Sequence, residues 1–97
     1  MLMMAYFEVN PEKDIKEIAK LGAQLVQAGK WPVKGTKEIA WYFTPSDPVW
    51  GIVIYEAESE EAVFNGHLLW KKAFPGIFSC FKVSPALPSA KAIPLAI

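Results

Sequence analysis

The chain has 97 residues, 53% of them apolar and 13% aromatic, and its ten acidic side chains balance ten basic ones. Every basic residue is a lysine, so the arginine fork that proteins often use for phosphate and guanine recognition is absent. We therefore expect a single domain with no nucleic-acid partner. The opening segment has no basic leader, and no stretch reaches the roughly 20 apolar residues of a membrane span, which predicts a cytoplasmic protein without a membrane partner.

The cysteine content limits the chemistry that one chain can support. Cys80 is the only cysteine, so neither an internal disulfide nor a thiolate metal cluster can form within one chain. No phosphate loop, dinucleotide fingerprint, serine triad or metalloprotease pattern is present. We expect no cofactor and no dedicated metal site.

The first half of the chain predicts a strand, a helix and a hairpin. Residues 2–9, "LMMAYFEV", are almost all apolar and predict a buried strand. Asn10 is expected to cap an amphipathic helix that starts at Pro11 and ends near Gly29. "TKEIAWYFT" then predicts a second strand, "PSDP" a tight connection and "VWGIVIYEA" a third strand.

The second half predicts a helix, a last strand and a tail. Ser59 is expected to cap the helix, and the Pro75–Gly76 pair to end it. "IFSCFKV" predicts the fourth strand, and the proline-rich residues after it are expected to lack regular structure. The order β-α-β-β-α-β predicts an α+β, ferredoxin-like domain over residues 1–88, with a four-stranded antiparallel sheet and both helices on one face. Residues 89–97 form a tail that we expect to pack on a dimer.

Both faces of this sheet are predicted to be apolar, although the two helices cover only one. If "PSDP" closes the hairpin symmetrically, Phe43 pairs with Trp50 and Trp41 with Ile52 on one face. The smaller residues of the opposite face are then expected under the helices, although a slip of one residue would exchange the two sets. If about 400 Å² of this face stayed exposed to water, the protein would lose about 10 kcal/mol of hydrophobic stabilisation.

A second copy is the simplest cover for that face, since the alternative, the chain's own proline-rich tail, is too short to cover four strands. We predict a homodimer packed sheet against sheet, with an interface that contains Trp41, Phe43, Trp50 and Ile52. Phe64 and Leu68 form a second apolar pair, outside the main stripe of their helix. A further contact between dimers therefore stays open.

These features resemble the dimeric α+β barrel superfamily, and within it a family of small uncharacterised domains. The resemblance covers about residues 1–88 and rests on the element order, the hairpin "EIAWYFTPSDPVWGIVIYEAES", the helix "SEEAVFNGHLLWKKAFPG" and a closing strand that runs into "SPALP". It implies two ferredoxin-like units whose sheets close into a barrel. The superfamily includes monooxygenases without metal or flavin, lactone isomerases, haem enzymes and ligand-sensing domains, so the fold alone selects no function.

Such monooxygenases are described as using an asparagine and a tryptophan on the second helix, with a tyrosine and an arginine nearby. Asn65 and Trp70 correspond in type, but they stand five residues apart, and the chain has no arginine. A helical wheel places His67, Trp70 and Phe74 on the face toward the sheet. His67 has three interpretations: a buried neutral ring bonded to a backbone carbonyl, a general base or proton relay, or a metal ligand completed by other groups.

Further polar groups are expected near His67. The proposed hairpin register places Glu38, Tyr42 and Tyr55 on the less bulky face, under the helices. With Trp70 and Phe74 they predict a pocket for a small apolar or aromatic molecule between sheet and helices. A second hypothesis is a cofactor-independent enzyme of the monooxygenase or isomerase type, with His67 as proton carrier and Tyr42 or Tyr55 as electrophile. The third is a structural or oligomerisation module without a ligand.

Overall fold

The computed structural model describes residues 1–97, and it confirms the predicted order of elements. Four strands and three helices follow one another along the chain: β1 (Leu2–Val9), α1 (Ile15–Gln27), β2 (Thr36–Thr44), β3 (Trp50–Ala57), α2 (Glu60–Ala73), β4 (Phe78–Pro85) and α3 (Ser89–Leu95). The strands form one antiparallel sheet in the order β2-β3-β1-β4. This is the ferredoxin-like α+β fold.

The faces of the sheet differ in burial, and β1 shows this most clearly. Met3, Ala5, Phe7 and Val9 alternate along β1 and are buried on the inner face, beneath α1 and α2. The residues between them lie on the outer face, which no helix covers, and Met4 there is 45% exposed. The hydrophobic core therefore lies on one side of the sheet only.

The start of α1 differs from the prediction. The helix begins at Ile15 and is capped by Asp14, whose carboxylate accepts a hydrogen bond of 2.9 Å from the backbone N–H of Lys16. Asn10 stabilises the preceding turn instead, because its side chain accepts from the N–H of Glu12 and donates to the carbonyl of Gly76. The predicted cap at Asn10 is therefore wrong by one turn, since two residues with suitable side chains compete for the role.

The start of α2 agrees with the prediction. The Ser59 hydroxyl accepts a hydrogen bond of 3.1 Å from the backbone N–H of Ala62. Glu60 and Glu61 lie in the first turn, and Lys71 and Lys72 lie in the last, as the helix dipole favours. None of the three helices has the length and hydrophobicity required to cross a bilayer.

The register of the β2–β3 hairpin is the main departure from expectation. Trp41 pairs with Val53 and Phe43 with Gly51, so the predicted pairs of Trp41 with Ile52 and of Phe43 with Trp50 are wrong by one residue. The reason is that the connection contains five residues, 45–49, because Thr44 pairs with Trp50. Trp41 and Phe43 consequently lie on the inner face, together with their partners.

An irregularity in β2 returns Glu38 to the inner face, where it was predicted to lie. The register shifts between Glu38 and Ala40, so that Ile39 is left without a partner and Glu38 pairs with Tyr55 on the inner face. A similar shift in β4 pairs Phe78 with Val9 and Phe81 with Phe7. Phe78 therefore faces the helices as Phe81 does, rather than the opposite side as the regular alternation predicts.

The tail contains more regular structure than its prolines indicated. Residues 89–95 form α3, which follows Pro88, and Pro94 lies inside its last turn. The prediction that this segment lacks regular structure is wrong, because proline is compatible with the start of a helix and α3 is too short for Pro94 to break many hydrogen bonds. No residue of α3 is buried within the single chain.

Candidate functional site

A cavity of about 510 Å³ lies between the inner face of the sheet and helices α1 and α2. Its wall is mainly apolar, since 20 of its 27 lining residues are hydrophobic. Val53 forms part of the sheet side, while Ile18 and Val26 of α1 and Trp70 of α2 form the helix side. The volume falls in the range of about 300–1,000 Å³ that small-molecule sites occupy.

Few polar side chains interrupt this wall. Glu38, Tyr55 and His67 all line the cavity, so the structure brings these three predicted site residues together. None of the three side chains makes a hydrogen bond or ion pair within the protein. Their donors and acceptors are therefore available to a molecule that enters the cavity.

His67 lies over the β4 side of the cavity. The centroid of its ring is 4.0 Å from that of Phe81, and Lys71 Nζ lies 5.5 Å from the same Phe81 ring. Burial lowers the pKa of His67, and the nearby positive charge of Lys71 lowers it further. His67 is therefore a neutral imidazole at neutral pH, with one donor and one acceptor nitrogen. The backbone hydrogen bond considered for a structural histidine is not formed.

Tyr55 supplies a hydroxyl on the sheet side. Burial raises the pKa of Tyr55, so the phenol stays protonated across the physiological range and can donate a hydrogen bond. Tyr55 pairs with Glu38 across the hairpin, which sets both residues on the inner face. Glu38 is the more exposed of the two and marks the rim of the site.

Three tryptophans pack together in the cavity wall. The ring centroids of Trp31, Trp41 and Trp70 are separated by 5.5–5.8 Å, with interplanar angles of 62–67°. The cluster joins the sheet, through Trp41, to α2, through Trp70. Edge-to-face pairs of this kind contribute about 0.5–1.5 kcal/mol each beyond their buried area.

Two of these indoles carry unpaired donors. Nε1 of Trp31 and Nε1 of Trp41 are shielded from solvent and have no acceptor within the protein. A buried donor without an acceptor costs about 1–3 kcal/mol. Trp31 was not among the site residues predicted from the sequence. The available signal was a large aromatic side chain in a short connection between two core elements.

Other predicted site residues lie elsewhere. Tyr42 is on the outer face and 69% exposed, so the shifted register removes it from the cavity that it was predicted to line. Trp41 and Phe43, predicted for the dimer interface, line the cavity instead. Trp50 and Ile52 lie on the outer face, as expected. Phe74 packs against the core beside the cavity rather than in its wall.

The cavity has neither a cluster of metal ligands nor Asn65, the remaining candidate residue of α2, in its wall. No three histidine, cysteine, aspartate or glutamate side chains come close enough to hold a metal ion. Asn65, which matches a residue type used by the similar monooxygenases, is exposed and outside the cavity wall. The polar side chains of the cavity wall are Gln27, Thr36, Glu38, Tyr55 and His67, together with the two shielded indole donors.

Comparison with known proteins identifies the fold through structure rather than sequence. No protein-family model and no curated protein matches the chain. An uncharacterised NIPSNAP-like domain protein from Burkholderia xenovorans has a similar structure, with a TM-score of 0.58 and 15% identity over 90% of this chain and 83% of that one.

Two proteins described as inferred antibiotic biosynthesis monooxygenases are also similar. The one from Nitrosomonas europaea has a TM-score of 0.53 and 11% identity over 90% of this chain and 98% of that one. The one from Caulobacter crescentus CB15 has a TM-score of 0.53 and 16% identity over 90% and 89%. The resemblance to the dimeric α+β barrel proteins is thus confirmed at the level of the fold.

Proposed function

We propose that this protein is a homodimer that binds a small apolar or aromatic molecule in the cavity between its helices and its sheet. The observation that carries the proposal is the cavity itself, a mainly apolar space of about 510 Å³ into which Tyr55 and His67 present free polar atoms. An apolar wall with a few convergent polar groups is typical of ligand sites. A purely structural module would instead fill this space with side chains.

The exposed surface supports the dimer. The single chain has 6747 Å² of accessible surface, whereas a compact protein of 10.8 kDa is expected to have about 5,500 Å². The excess of about 1,200 Å² exceeds the roughly 800 Å² per partner of a standard interface. On the outer face, the large side chains of Met4, Tyr42 and Trp50 are exposed by 40% or more.

The C-terminal segment extends the same argument. α3 buries none of its residues, although Leu87, Ile93, Leu95 and Ile97 in and around it are large and apolar. β4 leads directly into this segment at the end of the sheet where Leu2 accepts a hydrogen bond from Ala86. In the proposed dimer, residues 89–97 pack on the second copy and add their apolar side chains to the interface.

A neutral fluorescent probe tests the cavity. N-phenyl-1-naphthylamine, which emits strongly only in apolar surroundings, is expected to bind the protein and brighten. Ala23→Trp, which fills the cavity from α1, should weaken this binding about tenfold or more. Gln24→Trp adds the same ring one residue further along α1, outside the wall, and should leave binding unchanged. An unchanged probe signal in the presence of the wild-type protein would refute the ligand-binding proposal.

A cofactor-independent enzyme is a second candidate, favoured by one observation. His67 is a neutral imidazole without a protein partner, and Tyr55 offers a protonated hydroxyl to the same cavity. A base and a donor of this kind could remove a proton next to a carbonyl group and stabilise the resulting enolate. Two of the similar structures are described as inferred monooxygenases, which agrees with this class at the level of fold only.

Hydrogen exchange tests this candidate without a known substrate. In D₂O, the protein should accelerate replacement of the methyl hydrogens of 2-acetylnaphthalene by deuterium, followed by NMR. His67→Ala should abolish the acceleration while the ketone still binds. An equal exchange rate with and without protein would exclude this role for His67.

A further inference from the structure

The tryptophan cluster contains two buried hydrogen-bond donors that have no acceptor, which the burial of apolar surface does not explain. Trp31 and Trp41 both line the cavity, and both indole N–H groups are shielded from solvent without an acceptor in the protein. Nearly all buried polar groups in folded proteins have a partner, so two orphaned donors within one cluster need a physical reason. An acceptor atom supplied by the occupant of the cavity would provide one.

Access to these donors requires a movement of side chains. Trp31 is carried by the connection between α1 and β2 and belongs to no helix or strand. Its ring packs edge-to-face on Trp41 and on Trp70, with centroids 5.6 and 5.5 Å away. Because both Nε1 atoms are shielded in the packed cluster, a ligand oxygen can reach them only if Trp31 rotates away from its two neighbours.

The charges of the cavity wall also limit which molecules can bind, independently of the indole donors. Glu38 is the only side chain with a formal charge in the lining, and it lies at the exposed rim. No lysine lines the cavity, and the nearby Nζ of Lys71 lies 5.5 Å from the centroid of the Phe81 ring. An anionic group inside would lose its hydration without gaining a cationic partner, so anions are disfavoured.

We propose that the cavity selects neutral molecules that carry an exposed acceptor oxygen, such as a ketone, an aldehyde or an ester, and that the indole N–H groups of Trp31 and Trp41 recognise this oxygen. This inference rests on the proposed ligand-binding function and specifies its ligand class. An indole nitrogen is a donor only, so it stabilises a bound molecule that has an acceptor atom but not a hydrocarbon of the same shape. A site that presents buried donors therefore rejects an analogue lacking the acceptor.

Three naphthalenes of nearly equal size test the inference. 2-Acetylnaphthalene is neutral and carries a carbonyl oxygen, 2-isopropenylnaphthalene replaces that oxygen by a CH₂ group, and 2-naphthoate is an anion. We expect the ketone to bind about tenfold more tightly than the alkene, the value of one or two recovered hydrogen bonds. The naphthoate should bind about a hundredfold more weakly than the ketone. Titrations followed by ¹⁵N–¹H NMR measure all three.

The indole resonances report on the same contact directly. The chain has four tryptophans, so their indole N–H signals can be assigned by single substitutions. The ketone should move the signals of Trp31 and Trp41 downfield, whereas the alkene should not, and Trp50 on the outer face should respond to neither. Trp31→Phe and Trp41→Phe should each reduce the preference for ketone over alkene, and Trp50→Phe should retain it.

The possible results separate this inference from the proposal beneath it. Equal affinities for ketone and alkene would overturn the donor inference, while the binding itself would still support a ligand cavity. Tighter binding of naphthoate than of the ketone would overturn the exclusion of anions. If none of the three compounds binds, the cavity proposal is wrong and this inference falls with it. The comparison of compounds on the wild-type protein stays decisive even if a tryptophan variant fails to fold.

Discussion

His67 shows how the environment of one residue defines its chemistry. Its ring lies against Phe81 at a centroid distance of 4.0 Å, and Lys71 is the nearby charge that disfavours protonation. Both effects favour the neutral ring, because burial and a like charge each penalise the imidazolium. The residue therefore contributes a donor and an acceptor to the cavity, and its titration is coupled to folding.

A pH dependence of stability follows from this coupling. Because folding lowers the pKa of His67 below its usual value of 6.5, the unfolded state binds more protons just below that pH. The free energy of unfolding of the wild-type protein should therefore decrease as the pH falls from 7.5 to 5.5. In His67→Gln, this decrease should be smaller. Urea unfolding at fixed protein concentration measures both.

His67 is the only histidine, so no other side chain of this type can hide the effect. Carboxylates titrate at lower pH and contribute equally to both proteins. An identical decrease in the two proteins would show that the neutral form of His67 is not favoured by folding.

At the scale of elements, the β2–β3 hairpin determines what faces the cavity. Gly51 pairs with both Phe43 and Phe7, at a point where the strands and the aromatic rings leave no room for a side chain. A Cβ atom at Gly51 would lie 2.6 Å from Phe7 Cζ and 2.7 Å from Phe43 Cβ, and would also press on the Tyr42 carbonyl. The strand approach, rather than backbone flexibility, requires glycine here.

Two glycine substitutions should have opposite effects on stability. Gly51→Ala is expected to decrease the free energy of unfolding by about 3 kcal/mol, because the added methyl group overlaps its neighbours. Gly66→Ala should increase it by about 1 kcal/mol, because alanine favours the helix and its Cβ would meet only Val33 and Trp31, at 3.6 and 3.8 Å. Chemical denaturation of the three proteins measures both changes. Equal stabilities of the two variants would contradict the hairpin register described above.

At the scale of the whole molecule, the outer face of the sheet bears on whether the chain is a monomer or a dimer. Ile52 lies in the middle of this face, paired with Tyr6 and Tyr42, and the aromatic rings of Tyr6 and Trp50 pack 5.9 Å apart beside it. In a monomer this face stays in contact with water, and Trp50 there is 40% exposed. In the proposed dimer they meet the same face of a second copy.

The dimer can be tested by introducing a charge into that face. Light scattering at about 10 µM should give twice 10.8 kDa for the wild-type protein. Ile52→Lys should give a monomer, because a lysine in the centre of an apolar interface loses its hydration without a partner. Phe64→Lys makes a comparable change on α2, at a side chain that is 66% exposed, and should leave the dimer intact. A wild-type mass of 10.8 kDa would refute the dimer and the proposed packing of the tail.

The parts of the fold that could be predicted are those with local signals. Ser59 caps α2 as expected, because its hydroxyl bonds to a backbone group three residues away. The hairpin register failed because nothing in "PSDP" shows that Val49 belongs to the connection. That depends on the distant bond from the N–H of Val9 to the carbonyl of Val49, 2.8 Å long.

The same division holds for the candidate site. His67 and Trp70 could be placed by helical periodicity, since both lie on one face of one helix. Tyr42 and Trp41 were exchanged between faces, because alternation along a strand gives two sets but no reference for which set is buried. Trp31 was missed because a connection has no periodicity from which a side-chain direction can be inferred.

By itself, the amino-acid sequence determined the order of the first six elements and the apolar character of both sheet faces, since these depend on residues close together in the chain. Only the tertiary structure decided which aromatic rings enclose the cavity and which remain exposed. A connection one residue longer than expected and an unpaired Ile39 redirected β2, with Trp41 turned toward Trp31 and Trp70. The physical reason is that a strand repeats every two residues, so one extra residue moves each side chain beyond it to the opposite face.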